Sequence, residues 1–275
     1  MNEIKLDELK KIQLDILVFI DDFCEKNNIN YWIDCGTLLG AVRHKGYIPW
    51  DDDIDIGMLR EDYDKFMKIF NNCCNNSKYK FISYETDKNW PFPFGKVLDI
   101  TTVLYEPDKK HGMESSVYVD VFPYDNAPDD KKEIYNMFKK RDLYTKLMKL
   151  QRFSSFYVDK KNKYNFIRYP FHILMQVFPD DFFVRKSIKL SKKCISEKTK
   201  YVGNFTSFSK QYCNKSVFSS FIKLEFEGKK FNAPIGYDKW LKSFYGDYMK
   251  LPPVEKQISH HRYEAYHKKG ENYDK

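Results

Sequence analysis

The cysteine content gives no sign of a disulfide framework or a zinc site. Six cysteines are spread over 275 residues with no CxxC spacing, and outside a secretory context such thiols are expected to stay reduced. The adjacent pair Cys73 and Cys74 would point about 100° apart on a helix, which disfavours two ligands to one zinc ion. We therefore expect buried or idle thiols.

Long apolar runs are also missing. No stretch reaches the roughly 18 apolar residues needed to cross a bilayer, and the first residues lack the basic, apolar and small-residue order of a secretory signal. We therefore predict a cytoplasmic protein. Because 42% of the residues are hydrophobic, the chain has enough apolar side chains for a sizeable core.

Positive charge is concentrated in the middle of the chain. The formal net charge is +8, yet residues 131–200 hold 19 Lys and Arg against 6 Asp and Glu, a local balance of +13. Such a segment suits an anionic partner, which could be nucleic acid, an anionic membrane surface or a phosphate-bearing glycan. The same pattern is typical of a solvated helical face, and the sequence leaves both interpretations open.

Strand and helix patterns alternate in the first half. Apolar residues spaced by three and four predict an amphipathic helix over 4–24, and a short strand over 31–35 leads through a glycine turn into a helix from Thr37. Further predictions are a strand over 54–58, a helix over 61–70, and extended runs over 79–84, 97–105 and 116–122. This mixture predicts an α/β or α+β sheet domain over residues 1–126.

The second half has a different pattern. Residues 131–200 are charged and helix-like, residues 224–232 predict a small hairpin, and residues 237–244 predict a further helix. We therefore predict a mainly helical region with a small hairpin over 127–275. Its basic part is expected to face the acceptor or a membrane.

The segment from Trp50 to Gly57, WDDDIDIG, contains four aspartates within five positions. Close aspartates repel by about 1 kcal/mol per pair even in water, so a cation should offset them. Residues two apart on a strand share a face, so Asp53 and Asp55 project together. Oxygen ligands favour Mg²⁺ or Mn²⁺, with substrate phosphate completing the shell. The alternatives are an acidic surface loop or a calcium loop, although the glycine and glutamate offsets of an EF-hand are not met.

The block from Gly36 to Met58, GTLLGAVRHKGYIPWDDDIDIGM, resembles the signature of the LicD family, and fukutin-related proteins carry a similar block. The resemblance implies a nucleotidyltransferase-like fold, with a glycine and a small polar residue, then a carboxylate pair, then a carboxylate on a later strand. Gly36 with Thr37 matches the first element, and Asp53 with Asp55 the second. The expected fold class is therefore α+β, a mixed sheet with flanking helices plus a mainly helical basic region.

The third carboxylate of that pattern is assigned to Asp120, in the segment YVDVFP from Tyr118 to Pro123. The family shows a similar aspartate-aliphatic-Phe-Pro element. A carboxylate buried in this valine-rich strand without a cation would be costly, so we expect Asp120 to be a metal ligand or to accept the proton of the attacking hydroxyl. The alternative is a structural aspartate.

Four other residues are predicted to bind substrate. The turn at Gly36 offers backbone N–H groups to a phosphate, and Thr37 adds a hydroxyl. Arg43 is selected as a phosphate or nucleotide contact. Lys96 stands where family members carry a similar lysine. A closing element of the family is also matched at 245–253, whereas the basic middle region is unmatched.

The resemblance implies an enzyme that transfers phosphocholine from CDP-choline to a hydroxyl of a cell-surface glycan or its precursor, free or lipid-linked, and releases CMP. Asp53, Asp55 and Asp120 are the expected catalytic and metal-binding residues. An aromatic content of 17% is compatible with a choline site. Candidate rings are those of Trp50, Trp90, Tyr118 and Phe122.

Three alternatives remain open. The donor could be CDP-ribitol or CDP-glycerol, as in fukutin-related enzymes. Nucleotidyl transfer to RNA or an antibiotic is permitted by the basic region but disfavoured by the signature, so a nucleic acid partner is not expected. A basic module that binds a membrane or nucleic acid without catalysis would leave the aspartates without a role. Peripheral contact with the inner face of the cell membrane is compatible with the enzyme.

Overall fold

The computed structural model describes residues 2–74, 78–105, 115–152, 165–258 and 264–268. The α-helices in these ranges are α1 (Leu6–Lys26), α2 (Cys35–His44), α3 (Arg60–Cys73), α4 (Lys131–Arg152), α5 (Asn165–Met175), α6 (Phe182–Ser191) and α7 (Tyr237–Tyr245). The strands are β1 (Asn2–Glu3), β2 (Trp32–Ile33), β3 (Asp55–Leu59), β4 (Tyr79–Ile82), β5 (Gly95–Tyr105), β6 (Ser115–Ala127), β7 (Tyr201–Asn204), β8 (Gln211–Asn214), β9 (Phe221–Phe226), β10 (Lys229–Pro234) and β11 (Glu264–His267).

Nine of these strands form one mixed sheet. Its main path has the order β1-β11-β5-β6-β3-β2, with β4 paired to β5 and β7 joining β6 to β8. The pair β3 and β6 is parallel, whereas β5 is antiparallel to β6, β4 and β11. Strands β9 and β10 form a separate hairpin. The α+β class expected from the sequence is confirmed.

The main core packs helices α1 and α3 on this sheet and extends to α2, the β9–β10 hairpin and α7. Helix α1 buries Ile16, Leu17 and Ile20 completely, because apolar residues three and four apart share one helix face. The ring of Phe23 lies 5.5 Å from that of Phe66 on α3. The apolar spacing in the sequence therefore identified the faces that pack together.

The basic region has two small cores of its own. One, between α4 and the β7–β8 pair, contains Ala127, Ile134, Met137, Phe138 and Phe205. The other, between α4, α5 and α6, contains Met148, Met175, Phe183 and Val184. Helix α4 contributes to both, which explains how so charged a segment is held against the sheet.

Several predicted elements shift at their ends. The strand predicted over 31–35 is limited to Trp32–Ile33, because Cys35 already begins α2. The hairpin is confirmed, with its turn at Glu227 and Gly228, whose φ values of 50° and 73° lie in the left-handed region. The predicted helix near the C-terminus is α7.

The division of the chain at residue 126 stays a prediction. Strand β6 continues to Ala127 and pairs there with β7. Strand β11, from the C-terminal part, pairs with β5 in the same sheet. Both parts of the chain therefore contribute strands to one sheet.

A buried ion pair joins the start of α3 to β6. Arg60 Nε and Nη2 donate to the two carboxylate oxygens of Asp125, each at 2.7 Å. Asp125 is completely buried. Such a pair contributes less to stability than its geometry suggests, but removing one partner leaves an uncompensated buried charge.

We expect Arg60→Met to lower the free energy of unfolding by about 3 to 5 kcal/mol, because Asp125 would remain buried without its cation. Urea unfolding measures this change. The matched control is Lys242→Met, which breaks an exposed pair with Asp238 at 2.8 Å and should change stability little. Equal effects of the two substitutions would contradict the argument.

Candidate active site

The two strands that carry the predicted carboxylates are neighbours in parallel register. Asp55 on β3 lies opposite Asp120 on β6, and Lys96 on β5 lies opposite Asp120 on its other side. The Asp120 N–H donates to the carbonyl oxygen of Ile54 at 2.9 Å. Backbone pairing thus brings together residues that are 24 and 65 positions apart in sequence.

The start of α2 is bonded directly to β3. The Asp55 N–H donates to Thr37 Oγ1 at 2.9 Å, and the Asp34 N–H donates to the Asp55 carbonyl oxygen at 2.9 Å. Asp34 is the residue before the helix, whose first N–H groups have no partner within the helix. A Cβ at Gly36 would clash with the Asp51 carboxylate. The first helical turn therefore lies against the acidic segment.

A cavity of about 820 Å³ opens over these elements. Its charged lining residues are Asp51, Asp53, Asp55, Asp120, Arg43 and Lys250. Its aromatic lining residues are Trp50, Phe94, Phe122, Phe208, Phe244, Tyr245 and Tyr248. Cys35 and Gly36, from the first turn of α2, also line the cavity. The cavity thus combines carboxylates, cations and aromatic rings.

Neighbouring carboxylates raise the proton affinity of Asp55. Burial raises the pKa of Asp55 well above its ordinary value, and the charges of Asp53 and Asp120 raise it further. Asp51, Asp52 and Asp53 can each bring one carboxylate oxygen to within 4.8 Å of the others. An all-oxygen set of this density fits a hard divalent cation such as Mg²⁺ or Mn²⁺. Asp51 and Asp52 are thus added to the predicted ligand candidates.

Lys96 is paired with Asp120 rather than facing the open cavity. Its ammonium lies 2.8 Å from Asp120 Oδ1 and 3.2 Å from the ring centroid of Tyr118. Both charged groups are buried. The side chain predicted to contact phosphate therefore holds the carboxylate of β6 in place.

Arg43 connects α2 to the segment after α7. Its Nη1 donates to the Tyr248 carbonyl oxygen at 2.8 Å, and its Nε donates to His44 Nε2 at 2.9 Å. Lys250, two residues after Tyr248, also lines the cavity. The closing element over 245–253 thus forms part of the cavity wall.

A buried network beneath the site was not predicted. Asp34 is completely buried; Tyr124 Oη and Trp240 Nε1 donate to its carboxylate. Burial raises the pKa of Asp34, although these hydrogen bonds oppose the shift. Tyr124 Oη also lies 3.0 Å from Gln211 Oε1. The network joins α2, β6, β8 and α7, and no local spacing in the sequence reveals it.

The predicted residues therefore fall into two groups. Gly36, Arg43, Asp53, Asp55 and Asp120 line the cavity. Thr37 and Lys96 are not among its lining residues, and each bonds to one of the carboxylate positions instead. Of the aromatic candidates, Trp50 and Phe122 line the cavity, whereas Trp90 Nε1 donates to the Phe94 carbonyl oxygen at 2.8 Å. Their roles in binding and catalysis stay predictions.

Carboxylates on adjacent strands, facing the first turn of a helix across one cavity, are typical of nucleotidyltransferase-like domains. Comparison with known families agrees with this class: the model of the LicD/FKTN/FKRP nucleotidyltransferase domain matches residues 28–181. That match covers more than half of the chain. The chain belongs to this family.

Three relatives show how far the similarity extends. The lipopolysaccharide cholinephosphotransferase LicD of Haemophilus influenzae is 34% identical over 278 aligned residues, which cover 97% of this chain and 99% of the relative. An uncharacterized Rickettsia typhi protein is 36% identical over 125 residues, 44% of this chain and 38% of its own. The human ribitol 5-phosphate transferase FKRP is 50% identical over 38 residues, 14% of this chain and 8% of its own.

The raised pKa of Asp55 predicts a pH dependence in the metal-free protein. Since the folded state binds this proton more tightly than the unfolded chain, the stabilisation is present at low pH and is lost as pH rises through the raised pKa. Asp55→Asn has no such proton. We therefore expect its free energy of unfolding to fall less steeply with rising pH than that of the wild type, and to exceed the wild-type value near pH 7. Urea unfolding in EDTA measures both.

The control for this prediction is Asp22→Asn on the exposed face of α1. It should retain the wild-type slope. An Asp55→Asn variant with the same slope as the wild type would contradict the assigned cause.

Proposed function

We propose that this protein transfers phosphocholine from CDP-choline to a hydroxyl of a cell-surface glycan or its precursor, releasing CMP. The observation that carries the proposal is the similarity to a lipopolysaccharide cholinephosphotransferase over 97% of this chain and 99% of the relative. The carboxylates on β3 and β6 supply the chemistry that such a transfer requires.

A divalent cation fits the carboxylates of this cavity. Asp53 and Asp55, with Asp120 or Asp51, would hold Mg²⁺ or Mn²⁺. When bound, the ion neutralises charge on the diphosphate and on the departing nucleotide. Gly36 presents the first turn of α2 to a phosphate, and Arg43 supplies a guanidinium on the same wall.

The transfer itself exchanges one phosphorus–oxygen bond for another. The acceptor hydroxyl oxygen forms a bond to the phosphorus that carries choline, and the bond from that phosphorus to the CMP oxygen breaks. CMP leaves with the electron pair of that bond. With Asp51 completing the metal set, the hydroxyl proton passes to Asp120, whose carboxylate is paired with Lys96.

A second donor class has its own support. The 38-residue match to a ribitol 5-phosphate transferase is 50% identical, so CDP-ribitol is the alternative donor, with CDP-glycerol of the same kind. The carboxylate site would serve these donors equally, because it acts on the diphosphate. The two proposals differ in the head group that the cavity must accept.

The acceptor side of the proposal rests on the basic region. Helix α5 and the turn after it expose Phe171, Ile173, Leu174 and Val177, with exposed fractions from 51 to 78%. In the described part of the chain, no helix combines the length and apolar character needed to cross a bilayer. We propose that this apolar surface and the nearby lysines contact an anionic membrane at the cytoplasmic face, where a lipid-linked acceptor would lie.

We expect the purified protein to release CMP from CDP-choline only with Mg²⁺ or Mn²⁺ and an acceptor glycan. Asp53→Asn should lower this rate by at least about 100-fold, because a ligand of the essential ion is lost. The exposed Asp22→Asn variant should keep wild-type turnover. CMP release from CDP-ribitol or CDP-glycerol but not from CDP-choline would overturn the assignment of CDP-choline as donor. Full activity of a folded Asp53→Asn variant would overturn the catalytic role of Asp53.

We expect the protein to float with anionic liposomes at low salt and to lose this binding at high salt, because screening weakens attraction between lysines and lipid. Reversing the exposed lysines Lys186 and Lys189 on α6 to Glu should abolish flotation. The matched control reverses Lys229 and Lys230 on β10, which are also exposed. Absence of flotation by the wild type, or equal loss in both variants, would contradict the proposed contact.

Three further lysines of the basic region, at 160, 161 and 163, lie outside the described residues. Lys192 and Lys193 are paired with Glu85 and Glu133, each at 3.6 Å. Lys186 and Lys189 therefore give the sharper test.

A further inference from the structure

One wall of the cavity is aromatic and lies next to Asp120. The ring centroids of Phe94 and Phe122 are 4.6 Å apart. Phe122 lies two residues after Asp120, on the same face of β6, and both line the cavity. Phe94 and Phe208 also border a small neighbouring cavity together. These three residues, Phe94, Phe122 and Phe208, are called the aromatic wall.

Phe208 is exposed although the loop that carries it is firmly held. Its exposed fraction is 60%. The completely buried Arg141 donates from Nη1 to the carbonyl oxygens of Ser207 and Ser209, on either side of Phe208. Asn204 Oδ1 accepts from the N–H groups of Thr206 and Ser207 at 3.0 Å. A large apolar ring fixed at a cavity rim, rather than folded into the core, is suited to contact a ligand.

The rings of this wall already attract cations. The Lys149 ammonium lies 4.7 Å from the ring centroid of Phe208, and the Lys96 ammonium lies 5.9 Å from that of Phe94. Ring faces carry partial negative charge and favour cations within about 6 Å. The carboxylate of Asp120, which is paired with Lys96, lines the same cavity.

The positively charged side chains of the cavity lie where α2 meets the segment after α7. Arg43 and Lys250 line the cavity there, and Arg43 bonds to the Tyr248 carbonyl oxygen. That wall suits the phosphates of a nucleotide, whereas the aromatic wall suits a cation that makes no hydrogen bonds. A quaternary ammonium has no N–H to donate, so ring faces and a nearby carboxylate are its natural partners.

We propose that the aromatic wall receives the quaternary ammonium of the donor and sets the choice of choline over a polyol head group. This inference rests on the proposed function and identifies the residues that would decide its donor. Phe208 is its main test, because the ring is exposed and can be changed without opening the core.

The experiment compares binding of CDP-choline and CMP by calorimetry in Mg²⁺ without acceptor. Phe208→Ala and Phe208→Leu should each weaken CDP-choline about five- to tenfold, the size of one cation–π contact, and leave CMP affinity unchanged. Leucine preserves apolar bulk, so its effect isolates the ring face. The control is Tyr135→Ala, which removes a half-exposed ring with an ammonium at the same 4.7 Å, outside the cavity lining.

Saturation-transfer NMR gives an independent measurement. Irradiating aromatic protein protons should transfer saturation to the N-methyl protons of CDP-choline, and Phe208→Leu should reduce that transfer relative to the cytosine protons. Wild-type affinity in Phe208→Leu, or equal loss of CMP and CDP-choline affinity, would overturn the inference.

The outcomes separate this inference from the proposed function. If the wild type turns over CDP-choline while the Phe208 variants bind it normally, only the aromatic wall is wrong. If the wild type binds CDP-choline no better than CMP and turns over CDP-ribitol or CDP-glycerol instead, the donor assignment fails and the wall fails with it.

Discussion

The parallel pairing of β3 with β6 is the constraint on which the site depends. It fixes Asp55 opposite Asp120, so two buried carboxylates are held close by backbone hydrogen bonds rather than by any attraction between them. The fold offsets this repulsion locally. Lys96 pairs with Asp120. The pKa of Asp55 is raised by burial and by the charges of Asp53 and Asp120. A divalent cation would relieve the remaining repulsion, and this explains why stability and ligand binding should be coupled in this protein.

Local patterns predicted the parts of this site that depend on local geometry. The alternation in DIDIG predicted a strand over 54–58, and the structure has it over Asp55–Leu59 with Ile56 in the core. The valines around Asp120 predicted the second strand. The α+β class followed from the same patterns together with the family resemblance. These signals were sufficient because a strand buries alternate residues wherever it lies in the sheet.

Contacts between distant segments were harder to predict from the sequence. The sequence suggested a phosphate contact for Thr37 and Lys96, but their side chains bond to the two carboxylate strands. Asp34 was not selected, since its partners Tyr124 and Trp240 are 90 and 206 positions away. Only the packing of α7 and β6 against α2 brings these groups together. A buried polar network of this kind has no period, so pattern analysis along the chain cannot detect it.

The comparison of relatives bears on where donor choice is encoded. The match to the ribitol 5-phosphate transferase spans 38 residues, whereas the match to the cholinephosphotransferase spans almost the whole chain. Phe122 and Phe208 are separated by more than 38 positions, so that short segment cannot contain the whole aromatic wall. A carboxylate site that acts on the diphosphate can be common to relatives with different donors. Under the proposed function, the head group would be distinguished by side chains that other segments bring to the cavity, and the loop held by Arg141 is the segment that we propose for this role.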